Sequence, residues 1–62
     1  LVTRREREVL ALIARGATNA EIAREMVIAD TTVKTHISSL LSKLAARDRV
    51  ALVLLAQKAG IA

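Results

Sequence analysis

The sequence predicts an all-α fold, a compact four-helix domain with a helix-turn-helix at its centre. Turn-forming residues are scarce, because the 62 residues include no proline and only two glycines. Good helix formers such as Ala, Leu, Arg, Lys and Glu dominate the composition. Apolar residues also recur at helical spacing in separate capped segments. We expect the four helices over about residues 4–15, 19–26, 30–45 and 48–59.

The first helix is predicted from its cap and its apolar stripe. "TRRE" is a capping box, in which the side chains of Thr3 and Glu6 each accept from the other residue's backbone amide. Gly16 follows the helix where a left-handed C-cap needs a glycine. Arginines and glutamates alternate between Arg4 and Glu8, and we expect them to form a solvated face. The buried stripe is expected at Val9, Leu10 and Ile13, with Ala14 beside it.

The second helix starts with the same device and is barely two turns long. In "TNAE", Thr18 caps the helix and Glu21 closes the box. The segment "VIAD" that follows has no glycine or proline, so we expect a tight connection in which Ile28 reaches the core. The apolar face of this helix comprises Ile22, Ala23 and Met26.

The third helix has the most regular apolar pattern in the chain, with two chemically distinct sides. The predicted buried side comprises Val33, Ile37, Leu40, Leu41 and Leu44. The other side comprises Thr31, Thr32, Lys34, Thr35, Ser38, Ser39 and Lys43. Surface helices usually mix both charge signs, whereas this helix carries no acid after Asp30.

The fourth helix is expected to start at Asp48 as its N-cap. It is apolar nearly all round from Val50 to Ala56. A domain of this size has room to bury one apolar stripe, so the second is a predicted partner surface. The first stripe comprises Leu52, Val53 and Ala56. The second comprises Ala51, Leu54 and Leu55, and Lys58 continues it.

The second and third helices together form a predicted helix-turn-helix unit from Thr18 to Leu44. Hydroxyl groups can donate to phosphate or base oxygens, and Lys34 can reach guanine acceptors or phosphates. Phosphates would repel acids on that surface. The net charge of +4 and the pI near 10.8 also favour a polyanionic partner.

At this point the sequence resembles the LuxR-type helix-turn-helix domain, the C-terminal DNA-binding domain of NarL/FixJ response regulators. The resemblance spans "LVTRREREVLALIARGATNAEIAREM", "TTVKTHISSLLSKL" and "RDRV". It implies a four-helix fold that binds double-stranded DNA through helices two and three. It also implies a homodimer, commonly formed through the last helix, and an N-terminal regulatory domain, often a phosphorylatable receiver. The chain lacks an initiator methionine, so we expect residues 1–62 to be one domain of a longer regulator.

The resemblance also implies residue roles, position by position. Base contacts are implied for Lys34, Thr35 and Ser38. Backbone contacts are implied for Thr18, Asn19, Thr31, Thr32, His36 and Lys43, and the nearby charge of Arg47 adds that residue to the set. The dimer interface would comprise Ala51, Leu54, Leu55 and Lys58. We expect Arg49 to pack or to pair with an acid.

The chain departs from the family pattern at three places, one of which is two residues long. Many members have a capping serine in place of Ala29, so we expect Asp30 or Thr31 to cap the third helix. Many members have a glycine after that helix, where this chain has Ala45 and Ala46. Some have a basic or amide residue in place of Ser38, and serine reaches less far.

Other classes of function fit less well. With one histidine, no cysteine and no close carboxylate pair, the chain has no nucleophile and base for an enzyme, and we expect no cofactor or metal. Its longest apolar run is too short to span a bilayer, and no aromatic residue could anchor it to a membrane surface. We expect a cytoplasmic protein, with RNA polymerase as a further partner. The alternative is a helical protein-interaction module that uses the apolar face of the last helix.

Overall fold

The computed structural model describes residues 1–61 and has four α-helices. They are α1 (Arg4–Ala14), α2 (Asn19–Met26), α3 (Asp30–Lys43) and α4 (Arg49–Lys58). The predicted all-α fold is confirmed, and α2 has the predicted bounds. The other helices are shorter than predicted by one or two residues, because the residues at their ends serve as caps or turns.

Side-chain caps fix the starts of three helices as predicted. Thr3 Oγ1 accepts from the Glu6 amide at 3.2 Å, and the Thr3 amide donates to Glu6 Oε1 at 2.9 Å. The capping box of Thr18 and Glu21 is formed in the same way. Asp48 Oδ1 accepts from the Ala51 amide at 2.9 Å, so Asp48 is the N-cap of α4.

The start of α3 differs from the prediction. Its N-cap is Ala29, and no side chain caps the helix. The expectation that Asp30 or Thr31 takes this role is wrong, because both residues already lie inside the first turn. The Ala29 carbonyl instead accepts from the amides of Thr32 and Val33. The first turn of α3 therefore begins without the side-chain hydrogen bond that α1, α2 and α4 have.

The predicted apolar stripes meet in one core. Helix α1 packs against both α3 and α4, and α2 packs mainly against α3. The buried apolar residues are Val9, Leu10, Ile13, Ile22, Ala23, Val33, Leu40, Leu52 and Ala56. Ile28 is half-buried and packs against this core, as predicted. The core thus holds one side of each helix and leaves the opposite sides of α3 and α4 at the surface.

The turns before and after α3 both contain a left-handed residue that is not glycine. Val27 has φ 55° and Ala45 has φ 52°. A side chain disfavours this conformation, and a β-branched one disfavours it most. Ala45 occupies the turn where glycine is common in the family that the sequence resembles. Gly16 has φ 87° after α1, as predicted for a C-cap glycine.

Candidate nucleic-acid interface

The outer face of α3 consists of small polar side chains and one lysine. Its exposed residues are Thr31, Thr32, Lys34, Thr35 and Ser38. On the opposite side of the helix, Val33 and Leu40 are fully buried in the core. Because these two residues lie two turns apart, they fix which side of α3 faces solvent. The structure therefore brings the three predicted base-contact residues together on one exposed face.

The spacing along α3 makes this face continuous. Lys34 and Ser38 are four residues apart, as are Thr31 and Thr35, so each pair stacks on one side of the helix. The only acid in α3 is Asp30, at its first position. Beyond this residue the outer face offers hydroxyls and an ammonium group, which can contact base edges or phosphates.

Thr35 is restricted by a hydrogen bond inside the helix. Its hydroxyl donates to the Thr31 carbonyl at 3.0 Å, a common arrangement for threonine within a helix. With that proton engaged, the outward-facing parts of Thr35 are its oxygen lone pairs and its methyl group. A base contact at this position would therefore accept from an amino group or touch a thymine methyl.

The start of α2 offers backbone donors beside Thr18. The capping box engages the amides of Thr18 and Glu21. The next two amides, those of Asn19 and Ala20, are the donors that such a box leaves free for an anion. Hydrogen bonding with Thr18, first with its backbone amide and then with its side chain, lowers the pKa of Glu21 below its usual value. A fully ionised carboxylate therefore adjoins the predicted phosphate contact.

Asn19 is also tied to the start of α4. Arg49 Nη1 donates to Asn19 Oδ1 at 2.6 Å, and Arg49 Nη2 donates to the Ala17 carbonyl at 2.7 Å. Of the two expectations for Arg49, the half-buried side chain fits packing, whereas pairing with an acid is not seen, since its partners are two neutral oxygens. Sequence reasoning missed this contact because the joined residues are 30 and 32 positions apart.

Lys43 lies at the end of α3 and is held by partners within the chain. Its ammonium donates to Glu6 Oε1 and to the Leu1 carbonyl, each at 2.8 Å. The Ser39 hydroxyl donates to the other oxygen of Glu6. A phosphate contact by Lys43 remains a prediction. The ammonium would then have to bind the phosphate in addition to Glu6 and the Leu1 carbonyl, or in place of one of them.

The sequence pattern predicts that Glu6 belongs to a solvated face, and this prediction is wrong. Glu6 is 5% exposed, and its carboxylate contacts Ser39 and Lys43 of α3. The hydrogen bond from Lys43 contributes most to lowering its pKa to about 2, followed by the bonds from Ser39 and the Thr3 amide. This carboxylate joins the first turn of α1 to the last turns of α3.

The last two predicted backbone contacts lie in different surroundings. His36 is half-buried on α3. Arg47 is exposed in the loop after α3, where it lines a shallow apolar surface together with residues of α4. The structure thus places Arg47 beside the predicted dimer interface, and both phosphate contacts remain predictions.

That shallow surface contains the second apolar stripe of α4. Leu54 is 56% exposed and Leu55 is 39% exposed, whereas Leu52 and Ala56 on the first stripe are fully buried. The prediction holds for the leucines of the second stripe, which stay outside the core, whereas Val53 of the first stripe and Ala51 of the second are both half-buried. The surface is lined by Ala51, Leu54, Leu55 and Lys58, together with Leu44, Ala45, Ala46, Arg47 and Gln57.

The described residues contain neither a membrane-spanning helix nor a cluster of metal-binding side chains. None of the helices in residues 1–61 has the length and apolar content that a bilayer crossing requires. In the same residues, no three His, Cys, Asp or Glu side chains lie together so that they could hold a metal ion.

Comparison with known proteins supports the resemblance seen in the sequence. Residues 1–56 match the family model GerE, described as bacterial regulatory proteins of the luxR family. The chain is 51% identical over 57 residues, 92% of its length, to the uncharacterized transcriptional regulatory protein YhcZ of Bacillus subtilis. It is 56% identical over 48 residues (77% of the chain) to the transcriptional regulatory protein LiaR of the same species.

A third relative comes from another genus. The chain is 50% identical over 56 residues, 90% of its length, to the response regulator protein VraR of Staphylococcus aureus. The matches cover 27%, 23% and 27% of YhcZ, LiaR and VraR. The chain thus spans about a quarter of the length of these curated relatives.

Proposed function

The chain belongs to the luxR family of bacterial regulatory proteins, and on this premise we propose that it binds double-stranded DNA in a sequence-specific manner. DNA-binding transcription regulation is the general function of this family, which is not a family of enzymes. The observation that carries the finer proposal is the outer face of α3, which is exposed, rich in hydroxyls and free of acids beyond Asp30. In this proposal α3 enters the major groove and α2 crosses the backbone.

The proposal assigns base contacts to Lys34, Thr35 and Ser38. Their shared exposed face supports this assignment, and Ser38 lies four residues after Lys34 and three after Thr35, so all three are neighbours on the helix surface. Lys34 would donate to guanine acceptors, whereas Thr35 would accept from an amino group or touch a thymine methyl. The backbone contacts are assigned to Thr18, Asn19, Thr31, Thr32, His36, Lys43 and Arg47.

We further propose that two copies form a dimer through the second stripe of α4 and that this dimer binds an inverted repeat. The exposure of Leu54 and Leu55 supports this part of the proposal, since an apolar surface of this kind is stabilised by a partner. Ala51 and Lys58 would complete the interface. Such a dimer would place the two copies of α3 about one helical turn, roughly 34 Å, apart on the DNA.

The relatives suggest a wider setting for the domain. VraR is named a response regulator, and LiaR a transcriptional regulatory protein. We propose that the chain is the effector domain of a longer response regulator in a two-component system, working in the bacterial cytoplasm. RNA polymerase would be a further partner of that protein.

A second candidate function is a protein-interaction module that uses α4. The exposed pair Leu54 and Leu55 favours this candidate, because an apolar surface can dock another protein without DNA. The two candidates differ in their response to salt. For DNA binding, the logarithm of the association constant falls with the logarithm of the salt concentration, with a slope of about −0.9 per neutralised phosphate. Docking through an apolar stripe is nearly insensitive to salt.

Selection from random duplexes at two salt concentrations tests the proposal. We expect enrichment of an inverted repeat, followed by fluorescence-anisotropy titrations in which affinity falls steeply with salt. Failure to enrich any sequence would contradict sequence-specific binding. Failure to bind duplex DNA at low salt, with the chain folded by circular dichroism, would contradict DNA binding altogether.

A further inference from the structure

The contact of Arg49 joins two surfaces that the proposed function uses separately. Arg49 is the first residue of α4 and is half-buried. Its guanidinium donates to Asn19 Oδ1 at 2.6 Å and to the Ala17 carbonyl at 2.7 Å. These short bonds bridge the start of α4, the loop before α2 and the first residue of α2. Helix α2 is therefore tied to α4 at this point, whereas α3 contacts α4 separately.

This contact determines which way the amide of Asn19 faces. An asparagine amide has one oxygen that accepts and one nitrogen that donates, on opposite sides of the same group. A guanidinium can only donate, so Arg49 selects the oxygen. The nitrogen Nδ2 takes no part in this bond, so Arg49 leaves its hydrogens unused.

The guanidinium of Arg49 and the N-terminal end of α2 are the features of this contact that favour an anionic acceptor. Within residues 1–61, the ion pairs join Arg5 to Glu8 and Lys43 to Glu6, and neither involves Arg49. The guanidinium charge therefore remains unneutralised beside the N-terminus of α2, whose helix dipole also favours an anion. Two acids lie close in sequence, Asp48 beside Arg49 and Glu21 two residues after Asn19, and each accepts from a backbone amide as part of a helix cap.

We propose that Arg49 is a positioning residue for the DNA-backbone contact of Asn19. By holding Oδ1, it presents Nδ2 to a phosphate oxygen, and it couples the start of α4 to the N-terminus of α2. This inference rests on the proposed DNA-binding function. It differs from a direct role of Arg49, in which the guanidinium itself would contact the phosphate.

A double-mutant cycle on DNA affinity separates these roles. The variants are Asn19→Ala, Arg49→Met and the double variant, and the probe is a labelled duplex of mixed sequence, roughly 21 base pairs long. Such a probe suffices because phosphate contacts do not depend on sequence. Arg4→Met is the matched control, since Arg4 is exposed in α1 and the substitution removes the same charge.

We expect each single variant to weaken binding by about 3- to 10-fold, the value of one hydrogen bond. The double variant should be no weaker than either single one, because Arg49 acts through Asn19. Asn19→Ala should leave the salt dependence unchanged, since a neutral amide releases no counterions. Arg49→Met should change it no more than Arg4→Met does. Two results would overturn the inference in favour of direct phosphate contact. One is additive losses of DNA affinity in the double variant, and the other is a plot of log affinity against log salt concentration that is shallower by about 0.9 for Arg49→Met but not for Arg4→Met.

A spectroscopic readout covers the case in which Arg49→Met unfolds the domain. In ¹⁵N-labelled wild-type chain, the side-chain amide resonances of Asn19 should shift when the mixed-sequence duplex is added. In Arg49→Lys, which keeps the charge but not the planar fork, that shift should shrink. If the backbone amides of α3 shift while the Asn19 side chain does not, the positioning role is wrong and the DNA-binding function stands. If nothing shifts at low salt, both fail.

Discussion

The outer face of α3 and the second stripe of α4 are two exposed surfaces of opposite chemistry. Each lies on a helix whose other side is fully buried, through Val33 and Leu40 in α3 and through Leu52 and Ala56 in α4. The face of α3 carries hydroxyls and a lysine. The stripe of α4 carries leucines, of which Leu54 is 56% exposed.

This difference separates two kinds of binding within one small domain. Contacts with phosphates release counterions, so binding through α3 should weaken as salt rises. Contacts between leucines depend on removing apolar area from water, which depends little on salt. A substitution on one surface should therefore leave binding through the other surface intact. The largest change in DNA affinity is expected for a substitution that prevents two copies from pairing.

Leu54→Glu should have the largest effect, and only on a full inverted repeat. A glutamate in the stripe would face the same charge on the second copy, so cooperative binding of two domains should be lost. We expect affinity for the full site to fall by about 10²–10⁴, the usual gain from linking two binding events. Anisotropy titrations measure this, with a half-site duplex as the control. Unchanged affinity for the full site, or an equal loss on the half-site, would contradict dimerisation through α4.

Lys34→Ala should affect the other surface by a smaller amount. The loss of a guanine contact should cost about 1–3 kcal/mol of binding free energy and relax base preference at one position per half-site. Lys58→Ala is the matched control, because it removes the same charge from α4 and should change half-site affinity little. If Lys34→Ala weakens all sequences equally, Lys34 contacts a phosphate and does not read a base.

Glu6→Gln should test the contact beneath α3 through its pH dependence. The folded pKa of Glu6 is lowered from 4.5 to about 2, so the ionised carboxylate stabilises the fold above pH 4.5. This stabilisation is lost as the pH falls toward 2. At pH 7 the variant should therefore unfold at lower denaturant concentration than wild type, and the difference should shrink as the pH falls from 4.5 toward 2. A difference that stays constant over that range would contradict the lowered pKa.

Ala45→Gly should have the smallest effect and should leave both surfaces intact. Ala45 has φ 52°, where glycine is free of the steric penalty of a side chain. We expect a gain of up to about 1 kcal/mol in the free energy of unfolding, measured by denaturant titration. DNA affinity should not change. A loss of stability would show that the turn does not hold this conformation in solution.

Features that depend on neighbouring residues could be predicted from the sequence. Both capping boxes, the N-cap at Asp48 and the buried stripes rest on spacings of three or four residues. The predicted end of α3 at residue 45 is two residues too late, because Ala45 gives no glycine signal for the left-handed turn. The two exposed surfaces followed from the same helical periodicity.

Contacts between distant residues could not be predicted in this way. Glu6 meets Ser39 and Lys43 across 33 and 37 positions, and Arg49 meets Asn19 across 30. The alternation of arginines and glutamates in α1 suggested a solvated face, but packing of α1 against α3 buries Glu6. Partners for these polar groups depend on how the helices cross, which periodicity alone does not determine.

The most direct test of DNA binding through α3 is a chemical-shift titration of the ¹⁵N-labelled chain with a half-site duplex from the selection. A half-site binds one copy, so dimer contacts do not contribute. Shifts should concentrate on residues 31–38 and on Thr18 and Asn19, while Leu54 and Leu55 stay unchanged. Shifts confined to α4, with none on the outer face of α3, would contradict the proposed interface.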